Sequence, residues 1–264
     1  MIKISTAKEL DFMNLNVISF NLRYRDDANE NSIAQRAQRL NIILPRYDAD
    51  ILCMQEISKT WQPHLENDYR EQYDMYLQYR NETTDIEAIA ILWKKDRFDC
   101  LDRGCFWLSD TPEVESRGWD ELYNCFRICN YVILREKTSS KTFVVMNTHF
   151  GFGDNGQIKS CELIYSYSQK ISNLPTLVLG DFNMQPSSPA YNTMIRHFRD
   201  VNNCISNDMR PTWHGYEPEV ITSAHIDYCF IDNRIVPVKR VLITDTVNGK
   251  FPSDHFGLYC TLEV

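Results

Sequence analysis

Short apolar runs that stop abruptly at a polar or acidic residue recur along this chain. Val17-Ile18-Ser19-Phe20 stops at Asn21, and Ile51-Leu52-Cys53-Met54-Gln55 stops at Glu56. Phe143-Val144-Val145-Met146 leads through Asn147 and Thr148 to His149, while Leu177-Val178-Leu179-Gly180 leads into Asp181-Phe182-Asn183. His225-Ile226-Asp227-Tyr228-Cys229-Phe230-Ile231 places an acid inside a strand-like alternation, and Ser253-Asp254-His255 stands at the mouth of a last apolar run. Runs this short, bounded by turn-forming residues, read as strands. Loop-to-strand junctions are where chemistry is mounted on a rigid sheet, so these polar endings predict one cluster assembled from several strand ends.

Strands also fit 88–93, 97–102, 127–136, 238–245 and 256–264. Helical spacing starts after Ser32, a candidate cap, with Ile33, Ala37, Leu40 and Leu44 on one face. A second helix fits 157–172, with Ile158, Cys161, Tyr165 and Ile171 on one side. A third starts at Pro189 with Ser188 as its cap and Tyr191, Met194, Ile195 and Phe198 inside. Many strands with interspersed helices predict an α/β fold in which two packed sheets are flanked by helices. The stretch 107–126 has no clear period. A polar-aromatic loop of this length is either functional or a packed surface loop anchored by Trp107 and Trp119.

A chain of 264 residues that is 43% hydrophobic can bury a large core as one domain. We expect an N-terminal extension over 1–15 and a single domain over 16–264, in a monomer. The first residues carry acids and lysines where a signal peptide would be apolar, and no run approaches a membrane span, so a cytoplasmic location is expected. The nine cysteines are odd in number, and Cys53, Cys229 and Cys260 sit inside apolar runs, which favours reduced core thiols. Cys125 and Cys129 lack the second ligand pair that a structural zinc needs. A net charge of −8 argues against tight non-specific binding of duplex DNA through its phosphates. Arg23, Arg25, Arg103, Arg117, Arg127 and Lys159 lie near the candidate loops and could still form a local basic patch.

In chain order, Ser19-Phe20-Asn21, Gln55-Glu56, Asn147-Thr148-His149, Gly180-Asp181-Phe182-Asn183, Ile226-Asp227-Tyr228 and Ser253-Asp254-His255 resemble the endonuclease/exonuclease/phosphatase superfamily of metal-dependent phosphoesterases. That superfamily includes pancreatic-type deoxyribonucleases, apurinic endonucleases, inositol polyphosphate 5-phosphatases, sphingomyelinases and deadenylases. The resemblance spans 16–262, and the stretch 106–112 with Gly118-Trp119-Asp120 is similar to a mainly bacterial branch. One departure follows His149, where many relatives carry an Asp and later an Arg but this chain has Phe150-Gly151-Phe152-Gly153-Asp154-Asn155. The resemblance implies a four-layer sandwich of two packed mixed, largely antiparallel β-sheets flanked by helices. It also implies hydrolysis of a P–O bond by in-line attack of water, without a covalent intermediate.

Such hydrolysis needs positive charge against the phosphoryl oxygens, a base for water, and hydrogen-bond donors to the charge that develops. The resemblance implies Glu56 as principal ligand of Mg²⁺ or Mn²⁺, with Asp254 assisting directly or through water. Asp181 resembles the residue that orients or deprotonates the water, and Asn183 two residues on faces the same side of an extended segment. Gly180 and Asn183 could simply form a turn, but Val178 and Leu179 bring that turn to the strand-end cluster, which favours function. Asn21 and Asn183 would donate to the phosphate, with Arg127 as a further contact. Asp227 is expected to orient His255 and favour its imidazolium, and Glu87 matches the acid that partners His149, which would contact the phosphate or the leaving oxygen. His214 fits a loop found in relatives and receives no catalytic role, and His64, His197 and His225 are expected on the surface or in packing.

The expected partner is therefore a phosphate-ester substrate, with a small phosphomonoester or phosphodiester ranked first. The alternative is a nuclease acting on single-stranded or damaged nucleic acid, with Trp107 and Trp119 available to stack a base. A non-catalytic binding protein on the same fold is a third reading, although such relatives usually lose a catalytic Glu, Asp or His that this chain keeps.

Overall fold

Strands that are apolar on both faces need cover on both sides, and the architecture supplies it. The computed structural model describes residues 12–81, 83, 87–205, 208–219 and 224–264. β1 (Asn14–Asn21), α1 (Ile33–Ile43) and β2 (Ile51–Ile57) form a βαβ unit with parallel strands. α2 (Gln62–Tyr69), β3 (Tyr73–Tyr79), β4 (Ala88–Lys94), β5 (Phe98–Trp107) and β6 (Ile128–Glu136) follow. A second parallel βαβ unit comprises β7 (Thr142–His149), α3 (Asp154–Ile171) and β8 (Thr176–Asp181). Beyond it lie α4 (Pro189–His197), β9 (Arg199–Asp200), α5 (Val201–Ile205), β10 (Asp227–Ile231), β11 (Val236–Ile243) and β12 (Gly257–Glu263). The strands make two six-stranded sheets, ordered β11-β12-β1-β2-β4-β3 and β5-β6-β7-β8-β10-β9. Apart from the two parallel pairs, the strand pairings are antiparallel.

Alternation along each strand decides which layer a residue joins. Leu15, Val17, Ile51 and Cys53 of the first sheet meet Phe143, Val145, Leu177 and Leu179 of the second in a central core. Their neighbours Ile18, Phe20, Leu52 and Met54 pack outward against Ile33, Ala37 and Leu40 of α1 and Leu65 of α2. Val144, Met146 and Val178 pack outward against Cys161 and Ile164 of α3 and Met194 of α4. The order helix, sheet, sheet, helix is the four-layer mixed, largely antiparallel sandwich that the sequence led us to expect.

Boundaries differ in places for identifiable reasons. Met13 donates its N–H to the Val264 carbonyl at 3.0 Å, and Met13 and Leu15 join the central core, so the folded unit includes residues assigned above to the extension. Ser188 caps α4 by accepting from the Tyr191 N–H at 3.1 Å, as expected, but Ser32 makes no capping bond. Asp26 Oδ1 instead accepts from the first N–H of α1, that of Ile33, at 2.7 Å. β5 runs on to Trp107, beyond the expected 102. α2 and β3 are short, weakly patterned elements that the sequence reading missed; buried Trp61 leads into α2 and donates Nε1–H to the Arg23 carbonyl at 2.9 Å. All nine cysteines are free.

Parallel pairing delivers the carboxyl ends of adjacent strands to the same edge of a sheet. The register sets Asn21 beside Gln55 in one sheet and His149 beside Asp181 in the other. Antiparallel β10 then places Asp227 opposite Asp181. The register of β2 against β4 shifts between Met54 and Ile57, a bulge where Glu56 takes a left-handed φ of 57°. At this interruption the second sheet reaches across the core. Asn147 Nδ2 donates to the carbonyls of Met54 (3.0 Å) and Ala90 (2.9 Å), its Oδ1 accepts from Gln55 Nε2 (2.7 Å), and Asn130 Nδ2 donates to the Ile89 carbonyl (3.1 Å).

Asn147→Leu preserves approximate size but takes the Asn147 donor from the buried Met54 and Ala90 carbonyls and one acceptor from the Gln55 amide, which keeps Ser19 Oγ and the Cys53 carbonyl. Urea denaturation should show a loss of roughly 3 kcal/mol, as expected for more than one orphaned buried group. A loss below about 1 kcal/mol would mean that these bonds do not tie the sheets.

Candidate active site

Gly180 has φ 152°, and a Cβ there would stand 2.1 Å from the Thr148 carbonyl oxygen, so only glycine lets β8 approach β7 this closely. The next residue, Asp181, is 2% exposed between the sheet ends. Its Oδ1 accepts from the Asn183 N–H at 2.9 Å and its Oδ2 from Asn21 Nδ2 at 2.9 Å. The same Oδ2 lies 3.6 Å from His149 Nε2 and 3.8 Å from His255 Nε2. Asn21 also donates to Glu56 Oε1 at 3.1 Å, and Glu56 Oε2 accepts from the Tyr24 N–H at 2.8 Å. A left-handed conformation in a residue such as Glu56 costs on the order of 1 kcal/mol, and here the bulge imposes it while turning the carboxylate toward the cleft. Asn183, also left-handed at φ 48°, has Nδ2 3.0 Å from the Phe150 carbonyl and 3.1 Å from His149 Nε2. Gln157 of α3 holds this turn by donating to the Gly151 and Asn183 carbonyls, each at 2.9 Å.

The two histidines differ in electrostatic setting. His255 Nδ1 is 2.9 Å from Asp227 Oδ2, and Asp227 is fixed by its N–H donating to Thr212 Oγ1 at 3.0 Å. Burial alone would depress His255, but Asp227, then Asp181 and Asp254, overcome it and raise the imidazole from 6.5 to about 10. His149 is driven well below 6.5 by burial, reinforced by the Arg127 and Arg80 guanidinium groups. Asp181 is pushed up from 3.8 to about 7 by burial and by Asp227, with His255 opposing.

The expected Glu87–His149 pair is not a direct contact. Their nearest atoms are 3.9 Å apart, and Arg80 Nη2 lies between them, 2.6 Å from Glu87 Oε2 and 2.8 Å from His149 Nδ1. The N–H of Arg80 bonds to the Glu87 carbonyl, so the β3–β4 hairpin sets the two side chains opposite each other. A guanidinium can only donate, so His149 Nδ1 accepts and the ring hydrogen belongs on Nε2. Sequence reading missed Arg80 because its role depends on a cross-strand register that no local motif announces.

The ligand atoms of Glu56, His149 and Asp181 lie within 4.8 Å of one another, as do those of Asp181, Asp227 and His255. Carboxylate oxygens with no thiolate in the group suit a hard divalent cation, so the Glu56 side of the site fits such an ion by donor chemistry. Asp254 belongs to neither group, and its Oδ2 is paired with Arg23 Nη1 at 2.7 Å.

A cleft of about 1020 Å³ opens over these residues, lined among others by Arg23, Arg25, Arg80, Arg117 and Arg127. Arg23, Arg80 and Arg127 are paired with Asp27 and Asp254, with Glu87, and with Asp120 respectively. Arg25 and Arg117 have no carboxylate partner among the described residues. Arg103 and Lys159 do not line the cleft; they lie over the rings of Tyr76 and Trp119. Nor do Trp107 and Trp119 face it, which corrects the expectation that they stack a base. Trp107 Nε1 donates to the Arg80 carbonyl at 2.8 Å, and the exposed or partly exposed rings at the cleft are Tyr24, Tyr123, Phe126, Phe152 and Trp213. Among the other histidines, His214 packs on Phe251 and Phe256, His197 stacks on Tyr165, and His225 Nδ1 lies 2.8 Å from the Arg210 carbonyl.

Residues 18–255 match the sequence model of the endonuclease/exonuclease/phosphatase family. The chain belongs to this family. It is similar to a family member of Bacteroides thetaiotaomicron (25% identity, 96% of this chain and 98% of that one, TM-score 0.86). It is also similar to the mannosyl-6-phosphatase of Bacteroides thetaiotaomicron VPI-5482 (26% identity, 94% and 99% covered, TM-score 0.84). A curated relative, the CCR4-Not complex 3'-5'-exoribonuclease subunit Ccr4 of Aspergillus niger, is 25% identical over 204 residues, which covers 59% of this chain and 31% of that protein. The chain spans about a third of the length of the curated relatives it matches. Members of the endonuclease/exonuclease/phosphatase family near this chain thus include both phosphatases and nucleases, and no helix among its described residues is long and apolar enough to cross a membrane.

The two imidazoles should be distinguishable in the metal-free protein by nitrogen NMR. His255 should show an imidazolium pattern at neutral pH and His149 a neutral ring protonated at Nε2. The His255 contribution to stability should be complete below pH 6.5 and disappear as pH rises through about 10, because its folded-state pKa is raised. A His255 ring that titrates near 6.5 would remove the assigned Asp227 effect.

Proposed function

We propose that this protein is a divalent-metal-dependent phosphoric ester hydrolase that attacks a small phosphomonoester or phosphodiester in line with water. The observation that carries the reading is the convergence of Asn21, Glu56, His149, Asp181, Asn183 and the Asp227–His255 pair on one cleft. Glu56, with Asp181 beside it, would hold Mg²⁺ or Mn²⁺, and Asp254 would contribute through water because Arg23 holds its Oδ2. When bound, the ion supplies positive charge against the phosphoryl oxygens. Asp181, whose proton affinity is raised by burial, orients the attacking water and accepts its proton. Asn21 and Asn183 donate to the phosphoryl oxygens, and Arg127 adds a cationic contact. His255 donates from Nε2 as an imidazolium while Asp227 holds the other nitrogen. His149, kept neutral, acts as a hydrogen-bond donor rather than as a store of protons at neutral pH.

A phosphomonoester on a polar group is the first choice of substrate, supported by the similarity to a mannosyl-6-phosphatase over nearly the whole of both chains. The second reading is a nuclease on single strands, supported by the exoribonuclease relative and by aromatic and arginine side chains interleaved along the cleft.

Excess chelator should abolish hydrolysis in a screen of phosphomonoesters, phosphodiesters, RNA and DNA, and Mg²⁺ or Mn²⁺ should restore it. Asp181→Asn and His255→Ala should each lower turnover by about a hundredfold or more. Full turnover in chelator would remove the metal assignment, and wild-type turnover in both variants would favour a binding role for the fold.

Affinity for random duplex DNA should be weak. Arg23 and Arg80 are already paired with carboxylates and are not counted, so with Arg25, Arg117 and Arg127 the logarithmic salt slope should correspond to about three phosphate contacts. A slope equivalent to roughly six contacts would promote the nuclease reading over the small-substrate one.

A further inference from the structure

We propose that Asp120 is a positioning residue that holds Arg127 as a preformed contact for an anionic phosphoryl oxygen, so that loop 108–127 forms a fixed wall of the site. This inference rests on the phosphoesterase reading above. The loop is tied down at several points. A Cβ on Gly118 would stand 2.2 Å from the Leu108 carbonyl oxygen, the Trp119 N–H donates to that carbonyl at 3.2 Å, and the Glu121 N–H donates to Phe152 at 2.9 Å. The Glu121 carboxylate in turn accepts from the Gly156 N–H at 2.8 Å, in the first turn of α3.

Within this frame the Asp120 side chain is fully buried and every oxygen is used. Oδ1 accepts from the N–H groups of Leu122 (3.0 Å) and Tyr123 (2.9 Å). Oδ2 accepts from Cys125 Sγ (3.1 Å) and from Arg127 Nε (3.1 Å), and it lies 3.0 Å from Arg127 Nη2 in an ion pair. The guanidinium is therefore gripped along one edge, while Nη1 has no hydrogen-bond partner among the described residues although the side chain is only 6% exposed. Arg127 lines the cleft alongside His149, and its charge is felt by the His149 ring. A buried guanidinium nitrogen calls for an acceptor, and a fork held rigidly on one side meets a phosphoryl oxygen without losing side-chain freedom.

Asp120 thus has two separable jobs, holding the turn through Oδ1 and holding Arg127 through Oδ2. Asp120→Asn keeps an oxygen for the turn but sets an amide against the guanidinium. Binding of inorganic phosphate in the presence of Mg²⁺, measured by calorimetry, reads the second job, and thermal melting reads the first. We expect Asp120→Asn to weaken phosphate binding about tenfold, Arg127→Met to do the same, and the double variant to be no weaker than either. Unchanged or tighter binding by Asp120→Asn overturns the proposal, the latter because Asp120 would then only offset the arginine charge. Additive losses overturn it too, since Asp120 would not act through Arg127. If Asp120→Asn does not fold, Arg127→Lys decides: weakening as far as Arg127→Met supports the clamp, and wild-type binding removes it. Failure of the wild-type protein to bind phosphate with Mg²⁺ would count against the phosphoesterase reading itself.

Discussion

Burial of the Asp181 carboxylate where two sheets end is the constraint around which the rest of the site is arranged. An ionised carboxylate removed from water is unfavourable unless neighbours replace its hydration. The replacements come from distant parts of the chain: the Asn21 amide from β1, the Asn183 backbone from the following turn, and the imidazoles of His149 and His255. The Asp227 carboxylate opposite adds repulsion, and the charge of His255 counters it. One acid thus binds together groups from both sheets: burial and Asp227 raise its proton affinity, while its own charge helps to keep His255 protonated.

The backbone that brings these groups together is built from two similar devices. Each sheet contains a parallel βαβ unit, and parallel strands present their carboxyl ends together. One unit ends in a bulge that turns Glu56 toward the cleft, the other in a glycine that no side chain could replace without striking Thr148. Asn147 links the two by bonding across the core to the carbonyls beside the bulge. The site's geometry and the seam between the sheets are consequently one structural problem, solved by the same few polar side chains.

Charge is distributed unevenly for a chain of net −8. Arginines concentrate at the cleft, yet three of them are held by carboxylates, so their positions are fixed while their field is reduced. A site of this kind suits a few defined anionic oxygens better than a long phosphate backbone. The departure after His149 also finds a physical place here, because the Gly151 carbonyl accepts from Gln157 and Phe152 joins the aromatic lining of the cleft.

Read alone, the amino-acid order was enough for the layers, for most strands and for the polar strand endings, because apolar alternation and the residues that end it are local signals. Asn21, Glu56, His149, Asp181, Asn183, Asp227 and His255 were legible for that reason. The ends of β5 and β11, the start of β1 and the weakly patterned α2 and β3 were not, since their extent depends on what they pack against. Arg80 between Glu87 and His149, Asp120 behind Arg127, and the engagement of Asp254 by Arg23 were decided only by tertiary structure. Each depends on which side chains face one another across a hairpin, a loop or a sheet edge. Long-range electrostatic partners carry no periodicity in sequence, and only the folded register brings them within bonding distance.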